Sequence, residues 1–236
     1  MIEKTGRRIR IVTIDGPAGS GKSTVARAVA LKTGLRYLDT GLLYRAIAFF
    51  LTRKGIAPAE TDSLRSALEN LQLQLEGNRI RIGAEDVSEA LRTAEIDRVV
   101  SLYAALPSVR KRLLSLQHSQ AVPPGLVADG RDMGSVVFPQ AGLKIYLTAD
   151  PEERATRRFL EQSARGQEVE FKQVLFDVLS RDKTDSTREI APLTVPQNAV
   201  LVDTTGKTVE DVVAEILQLI ERTFAENGSG VVENAF

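Results

Sequence analysis

The chemistry that the sequence shows most directly lies in a glycine-rich segment, Gly16-Pro17-Ala18-Gly19-Ser20-Gly21-Lys22-Ser23-Thr24. The spacing Gly-x-x-x-x-Gly-Lys-Ser is typical of a loop that holds nucleotide phosphates, because glycines let successive backbone N–H groups turn toward an anion. In such a loop Lys22 reaches the β- and γ-phosphates, and the hydroxyl of Ser23 binds Mg²⁺. We therefore expect this segment to bind a nucleotide, although it does not identify the group that receives the phosphate.

Arginines form the second set of residues that could do chemistry. Arg45 lies near the start of a predicted helix, and Arg131 follows a predicted strand, which is where parallel sheets place their ligands. Arg154, Arg157 and Arg158 are spaced to share one helical face. The remaining candidates are Arg110, Arg181 and Arg188. An arbitrary arginine is most often a solvated surface charge. In a chain without net charge, however, these positions indicate a clamp for two phosphorylated ligands.

The composition narrows the class of protein. A chain of 236 residues with 43% hydrophobic and 26% charged residues is typical of a globular protein. The absence of cysteine excludes disulfides, thiol catalysis and cysteine-based metal sites, and the single His118 excludes most histidine-based metal centres. Zero net charge and 5% aromatic residues give no general attraction for nucleic acid. We find no membrane-spanning stretch or targeting segment, so we expect a cytoplasmic protein without nucleic-acid or membrane partners.

Hydrophobic periodicity indicates the α/β class, with a parallel β-sheet core flanked by helices. Strands are expected at residues 9–14, 35–38, 126–128, 143–147 and 199–202. Asp39-Thr40-Gly41 begins the second helix, and Asp150 is the expected N-cap of a later helix that runs from Pro151 to about residue 165. Another helix is expected at about 170–183, and a Thr208–Asp211 capping box predicts the start of the last one.

The alternation of strands and helices is interrupted after Pro58. Residues 71–75 and 79–82 alternate with period two around a turn at 76–78, which is typical of an antiparallel hairpin with one apolar face that folds locally. We therefore expect an inserted subdomain at residues 56–105, a core formed by 1–55 and 106–225, and a disordered tail at 226–236.

Four stretches together resemble those of bacterial cytidylate kinases. They are Gly16–Thr24, Leu38-Asp39-Thr40-Gly41-x-x-Tyr44-Arg45, Asp129-Gly130-Arg131-Asp132-Met133-Gly134 and Arg181-Asp182-x-x-Asp185-Ser186-x-Arg188-x-x-x-Pro192-Leu193. Many families share the first, whereas the last two are far more specific, and the resemblance covers about residues 9–222. It implies a P-loop NTPase fold with an inserted nucleoside-monophosphate-binding subdomain and a small helical lid at about 151–168. Thr40 stands where other members carry Ser, which keeps the hydroxyl.

The resemblance implies transfer of the γ-phosphoryl group of ATP to CMP or dCMP. A phosphate monoester has a second pKa of ~6 and is already a nucleophile at neutral pH, so no general base is needed. The implied catalytic residues are Lys22, Arg131, Arg181 and Arg188. Lys22, Mg²⁺ and the arginines Arg154, Arg157 and Arg158 would hold the donor phosphates. Ser23 would bind the metal, and Asp129 would either orient it through water or cap the turn that follows.

The resemblance also implies roles on the acceptor side. The acceptor phosphate would be held by Arg45, Arg131 and Arg188, and Arg181 would contact the sugar or the travelling phosphoryl group. The ribose hydroxyls would bind Asp185 and Ser101, and the cytosine edge would be read by Thr40, Arg110 and Asp132. Tyr44 and Asp129 complete the expected acceptor pocket, and Tyr44 either packs near the base or supports its helix.

Two other functions compete with this interpretation. Another small-molecule kinase of the same fold, such as an adenylate or shikimate kinase, would share the glycine-rich segment, but the inserted hairpin and the Asp132/Arg110 pair favour a pyrimidine monophosphate. A nucleotide-dependent switch would need a guanine-reading motif such as Asn-Lys-x-Asp, which the sequence lacks. We expect a monomeric kinase that uses ATP and Mg²⁺.

Overall fold

Five parallel strands form the central sheet of the computed structural model, which describes residues 9–77, 79–91 and 93–226. The strands of the chain are β1 Arg10–Asp15, β2 Arg36–Asp39, β3 Leu73–Glu76, β4 Arg79–Ile82, β5 Glu85–Asp86, β6 Gly125–Gly130, β7 Leu143–Thr148 and β8 Val200–Asp203. The order across the central sheet is β2-β6-β1-β7-β8, and every neighbouring pair is parallel. The predicted parallel sheet is therefore confirmed.

Helices connect these strands and cover the sheet. They are α1 Lys22–Thr33, α2 Thr40–Arg53, α3 Asp62–Glu69, α4 Ala94–Ala104, α5 Pro107–Ser119, α6 Pro151–Ala164, α7 Phe171–Thr187 and α8 Val209–Glu226. The predicted capping box is present, since the N–H of Asp211 donates to Thr208 Oγ1 at 3.2 Å and the N–H of Thr208 donates to Asp211 Oδ2 at 3.3 Å. Asp150 stands at the N-cap of α6, but its side chain makes no capping bond.

Apolar side chains pack on both faces of the sheet because neighbouring strand residues point to opposite sides. In β1, Ile11 joins one cluster with α2, whereas Val12 and Ile14 join the other with α1 and α8. In β6, Leu126 belongs to the cluster of Ile11, and Val127 belongs to the cluster of Val12 and Ile14. Both faces are thus covered, as a parallel sheet requires.

The inserted region adds a small antiparallel sheet with the order β3-β4-β5. Its apolar side is not independent of the core: Leu73 and Ile80 belong to the same buried cluster as Ile47 and Leu51 of α2. The hairpin therefore packs on α2, which corrects the expectation that it folds locally. The predicted turn residue Asn78 and the tail 227–236 lie outside the described residues.

A π-helical turn at Met133–Val137, which the sequence did not predict, follows β6 directly. Both carboxylate oxygens of Asp15 hold its start, because they accept the N–H groups of Met133 and Gly134, each at 2.7 Å. Gly134 is needed there, since a Cβ atom would lie 2.8 Å from Thr13 Oγ1. The turn fixes the segment that carries Arg131 and Asp132. Among the described helices, none is long and apolar enough to cross a bilayer.

Candidate active site

A cavity of about 650 Å³ opens at the carboxyl ends of β1, β2 and β6, the edge at which open parallel sheets bind ligands. The predicted site residues that line it are Ala18, Gly19, Ser20, Gly21, Lys22, Ser23, Thr24, Thr40, Tyr44, Arg45, Ser101, Asp129, Arg131, Asp132, Arg157, Arg158, Arg181, Asp185 and Arg188. Four predicted site residues, Gly16, Pro17, Arg110 and Arg154, are not among the lining residues. The cavity thus brings together most of the predicted site residues.

The glycine-rich segment forms a tight loop between β1 and α1. Gly16 has a φ of +148°, and a Cβ atom there would lie 2.0 Å from the carbonyl oxygen of Leu147 in β7. Gly21 is the N-cap of α1 and offers no side-chain acceptor, so the first N–H groups of the helix are left for an anion. The ammonium of Lys22 donates to the Pro17 carbonyl at 2.5 Å and to Ser20 Oγ at 3.2 Å. Burial, and next the charge of Arg131, hold the pKa of Lys22 well below its usual value.

The three predicted arginines of α6 have different surroundings, although their spacing predicts one shared face. Arg154 is buried against the back of the glycine-rich loop, where Nη1 donates to the Ala18 carbonyl at 2.9 Å and to Asp182 Oδ2 at 2.6 Å. Its Nε donates to the Ala149 carbonyl at 2.9 Å, so this guanidinium bonds to the protein through both Nε and Nη1. Arg157 and Arg158 do line the cavity. Arg154 is thus bonded to the back of the loop, and its contact with a donor phosphate stays a prediction.

Ser23 and Asp129, the two residues expected near Mg²⁺, lie together. Ser23 Oγ donates to Asp129 Oδ2 at 2.7 Å, and the Tyr37 hydroxyl donates to Oδ1 at 3.0 Å. Burial, and next the charge of Asp39, raise the pKa of Asp129 to about 7. A nearby cation stabilises the ionised form of a buried carboxylate that lies close to a second acid.

These residues fit Mg²⁺ as a nucleotide-bound ion. No group of three acidic or histidine side chains that could cage a metal is found in the part of the chain that the structure describes. Mg²⁺ is usually held by one or two carboxylates together with substrate phosphates and water, so the hydroxyl of Ser23 and the carboxylate of Asp129 are a suitable donor set.

Four guanidiniums from α2, α6, α7 and the segment after β6 meet in the middle of the cavity, and we call Arg45, Arg131, Arg158 and Arg181 the arginine cluster. Arg131 Nε donates to Asp185 Oδ2 at 2.8 Å. The side chain of Arg181 is 14% exposed, and its buried Nε and Nη1 atoms have no hydrogen-bond partner among the described residues. Burial, and next the charge of Arg131, lower the pKa of Arg181 to about 9. Cations crowded in this way favour an anionic ligand.

The far end of the cavity carries the residues expected to read a base. Asp132 is 1% exposed and forms a short ion pair with Arg110, while Arg188 Nη2 lies 3.5 Å from its other oxygen. Burial raises the pKa of Asp132, and the charges of Arg110 and Arg188 oppose this effect. Arg110 stands behind Asp132 with its guanidinium 5.5 Å from the ring centroid of Tyr44.

These contacts bear on three side chains that the sequence singled out. Arg110 pairs with Asp132 and is not among the lining residues, and its contact with the cytosine edge stays a prediction. Thr40 Oγ1 donates its proton to the Asp129 carbonyl at 2.7 Å, so toward a ligand it remains only an acceptor. Arg188 lies beside Asp132, and its Nε donates to the Ala191 carbonyl at 2.6 Å.

Comparison with known proteins places this site in a family. Residues 12–222 match the model of the family described as cytidylate kinase. The chain belongs to the cytidylate kinase family. The cytidylate kinase of Carboxydothermus hydrogenoformans is 45% identical over 215 residues, which are 89% of this chain and 97% of that protein. The cytidylate kinase of Mycobacterium leprae is 43% identical over 213 residues, which are 90% of this chain and 96% of that protein.

The fold of this cytidylate kinase family member also resembles that of distant proteins. A crystal structure of an uncharacterized protein from Eubacterium ventriosum aligns with a TM-score of 0.52 over 90% of this chain and 98% of that chain. Because the sequences are only 12% identical, this likeness concerns the fold alone.

Sequence reasoning missed three acids of the cytidylate kinase site. Asp15 holds the π-helical turn, and Asp182 pairs with Arg154 behind the glycine-rich loop. Asp97 lies on α4 and contacts Arg45, whose Nη2 donates to its Oδ1 at 2.9 Å. Asp182 directly follows Arg181 in one of the four stretches that resemble cytidylate kinases, so the sequence offered a signal for it. No spacing in the sequence signals Asp97.

Proposed function

We propose that this chain transfers the γ-phosphoryl group of ATP to CMP and dCMP, giving ADP and the cytidine diphosphate, in the cavity described above. The observation that carries the proposal is the arginine cluster, which lies between a phosphate-binding loop and a buried acid suited to a base. Such a cavity would bind two phosphorylated ligands, with the phosphates of both at the arginine cluster. Membership of the cytidylate kinase family supports the same reaction.

The reaction needs alignment and charge neutralisation more than proton transfer. The acceptor phosphate loses its second proton with a pKa of ~6, so at neutral pH its oxygen attacks the γ-phosphorus without a general base. Lys22 and Arg157 would hold the donor phosphates and Arg45 and Arg131 the acceptor phosphate, and all four line the cavity. Arg181, with two nitrogens free of hydrogen bonds among the described residues, would bind the phosphoryl group as it moves.

Mg²⁺ would be held by Ser23 and Asp129 together with the phosphates of ATP, and it would supply further positive charge there. The buried Asp132 would accept a hydrogen bond from the exocyclic amine of cytosine, where uracil presents a carbonyl oxygen instead. Ser101 and Asp185 line the cavity and would contact the ribose hydroxyls. We further propose that the protein works as a monomer in the cytoplasm.

A coupled assay of ADP release tests the proposal directly, with CMP, dCMP, UMP, AMP and shikimate as acceptors. CMP and dCMP should give the highest kcat/KM. Preference for AMP or shikimate would instead identify another kinase of this fold, and slow ATP hydrolysis that no acceptor stimulates would favour a nucleotide switch. Size-exclusion chromatography with light scattering tests the monomer.

A further inference from the structure

Asp97 contacts three of the four guanidiniums of the arginine cluster, although it belongs to no motif. Arg45 donates to its Oδ1 from Nη2 at 2.9 Å and from Nε at 3.3 Å. Arg181 Nη1 lies 3.5 Å from the same oxygen. Arg158 Nη1 lies 3.8 Å from Oδ2. One carboxylate thus contacts guanidiniums from α2, α6 and α7.

The ion pairs of Asp97 are close enough to stabilise its charge, yet a ligand could replace them. Its side chain is 26% exposed and therefore has a path to solvent. Burial opposes its ionisation, but the charges of Arg45, Arg158 and Arg181 lower the pKa of Asp97 to about 2. Two of the three contacts, those with Arg158 and Arg181, are longer than hydrogen bonds. A phosphate offers more acceptor oxygens and more negative charge than a carboxylate, so it would satisfy these guanidiniums better.

We propose that Asp97 is a positioning residue that competes with phosphate-bearing ligands for the arginine cluster. The carboxylate keeps mutually repelling guanidiniums together, and a ligand phosphate takes over these contacts while Asp97 turns to solvent. The side chain therefore weakens ligand binding, because its own ion pairs must be broken when the phosphate arrives. That the ligand is CMP rests on the proposed function, whereas the competition itself concerns any phosphate group.

Removal of the charge at Asp97 tests this competition. Asp97→Asn keeps the size of the side chain, and Glu85→Gln is the matched control. Glu85 lies in the same inserted region and pairs with Arg53 at 2.8 Å, but it is not among the residues that line the cavity. Calorimetric titration with inorganic phosphate should show roughly tenfold tighter binding to Asp97→Asn than to the wild type, since a charged hydrogen bond of this kind is worth about that factor. Glu85→Gln should bind phosphate as the wild type does.

Two further readouts separate competition from simple support of the fold. Asp97→Asn should have a lower melting temperature than the wild type without ligand, yet gain more degrees when phosphate is added. Its KM for CMP should fall, and kcat should not fall in the same proportion. Asp97→Ser serves in the same way if the asparagine variant does not fold, and Asp97→Glu should restore weak binding because it keeps the charge.

The proposal is overturned if the neutral variants bind phosphate no more tightly than the wild type does. Asp97 would then serve only to hold the arginines in position. A rise in the KM for CMP would do the same. Failure of the wild type to phosphorylate CMP would refute the proposed function instead, and the phosphate titration would still decide the role of Asp97.

Discussion

Arg154 and Arg157 are predicted to share one role because of their helical spacing, whereas their contacts indicate two different roles. Arg154 would stabilise the glycine-rich loop, and Arg157 would bind ATP. Arg154 is 4% exposed, and its donors reach Asp182 Oδ2 at 2.6 Å and the carbonyls of Ala18 and Ala149, both at 2.9 Å. Arg154→Met keeps the apolar stem but leaves Asp182 and both carbonyls without this donor. Breaking a buried ion pair from one side costs about 3–5 kcal/mol.

The size of this loss makes the prediction measurable. For a protein of this size each kcal/mol shifts the melting temperature by about 2–4 °C, so Arg154→Met should melt roughly 6–20 °C below the wild type. Arg157 is more exposed and donates to Thr204 Oγ1 at 2.9 Å and to the Thr204 carbonyl at 2.8 Å. Arg157→Met should therefore lose only about 1 kcal/mol of stability and should chiefly raise the KM for ATP.

Urea unfolding gives the free energy of unfolding for both variants, and steady-state kinetics at saturating CMP gives the KM for ATP. The reasoning is refuted if Arg154→Met unfolds within about 1 kcal/mol of the wild type while its KM for ATP rises as much as that of Arg157→Met. In that case Arg154 would be a phosphate ligand, as the shared helical face suggested, and the bonds behind the loop would be of minor importance.

Four further predictions follow from the site. Lys22→Ala should reduce kcat at least 100-fold with little change in the melting temperature, because its charge acts on the migrating phosphoryl group; near-normal turnover would contradict the loop assignment. Asp132→Ala should narrow the CMP-to-UMP ratio of kcat/KM, by up to roughly 10- to 150-fold, and Asp132→Asn should recover part of this loss because its amide oxygen can still accept; equal losses for both nucleotides would make Asp132 a structural group. Burial raises the pKa of Asp15 to about 6, so ionising it costs more in the folded chain than in the unfolded one. Its contribution to the free energy of unfolding should fall as the pH rises from about 4 to about 6, and Asp15→Asn should lack that slope in urea titrations. Amide hydrogen exchange at residues 151–168 should slow when both nucleotides are added, and unchanged exchange would count against a lid there.

The local features of this protein could be predicted from the sequence because short-range rules govern them. The glycine spacing, the apolar runs of β1 and β6 and the Thr208–Asp211 capping box each depend on residues close together in the chain. The position of Arg131 and Asp132 could be predicted as well, since both directly follow a buried strand whose carboxyl end belongs to the ligand edge of a parallel sheet.

Only the tertiary structure decided which partner each charged side chain meets. Arg154 and Arg157 are three residues apart on α6, yet one faces the back of the glycine-rich loop and the other faces the cavity, because α7 supplies Asp182 on one side only. Asp97 meets Arg45, Arg158 and Arg181 through the packing of α2, α4, α6 and α7. Such contacts join residues far apart in the chain, and their geometry depends on how whole helices pack, which no local spacing encodes.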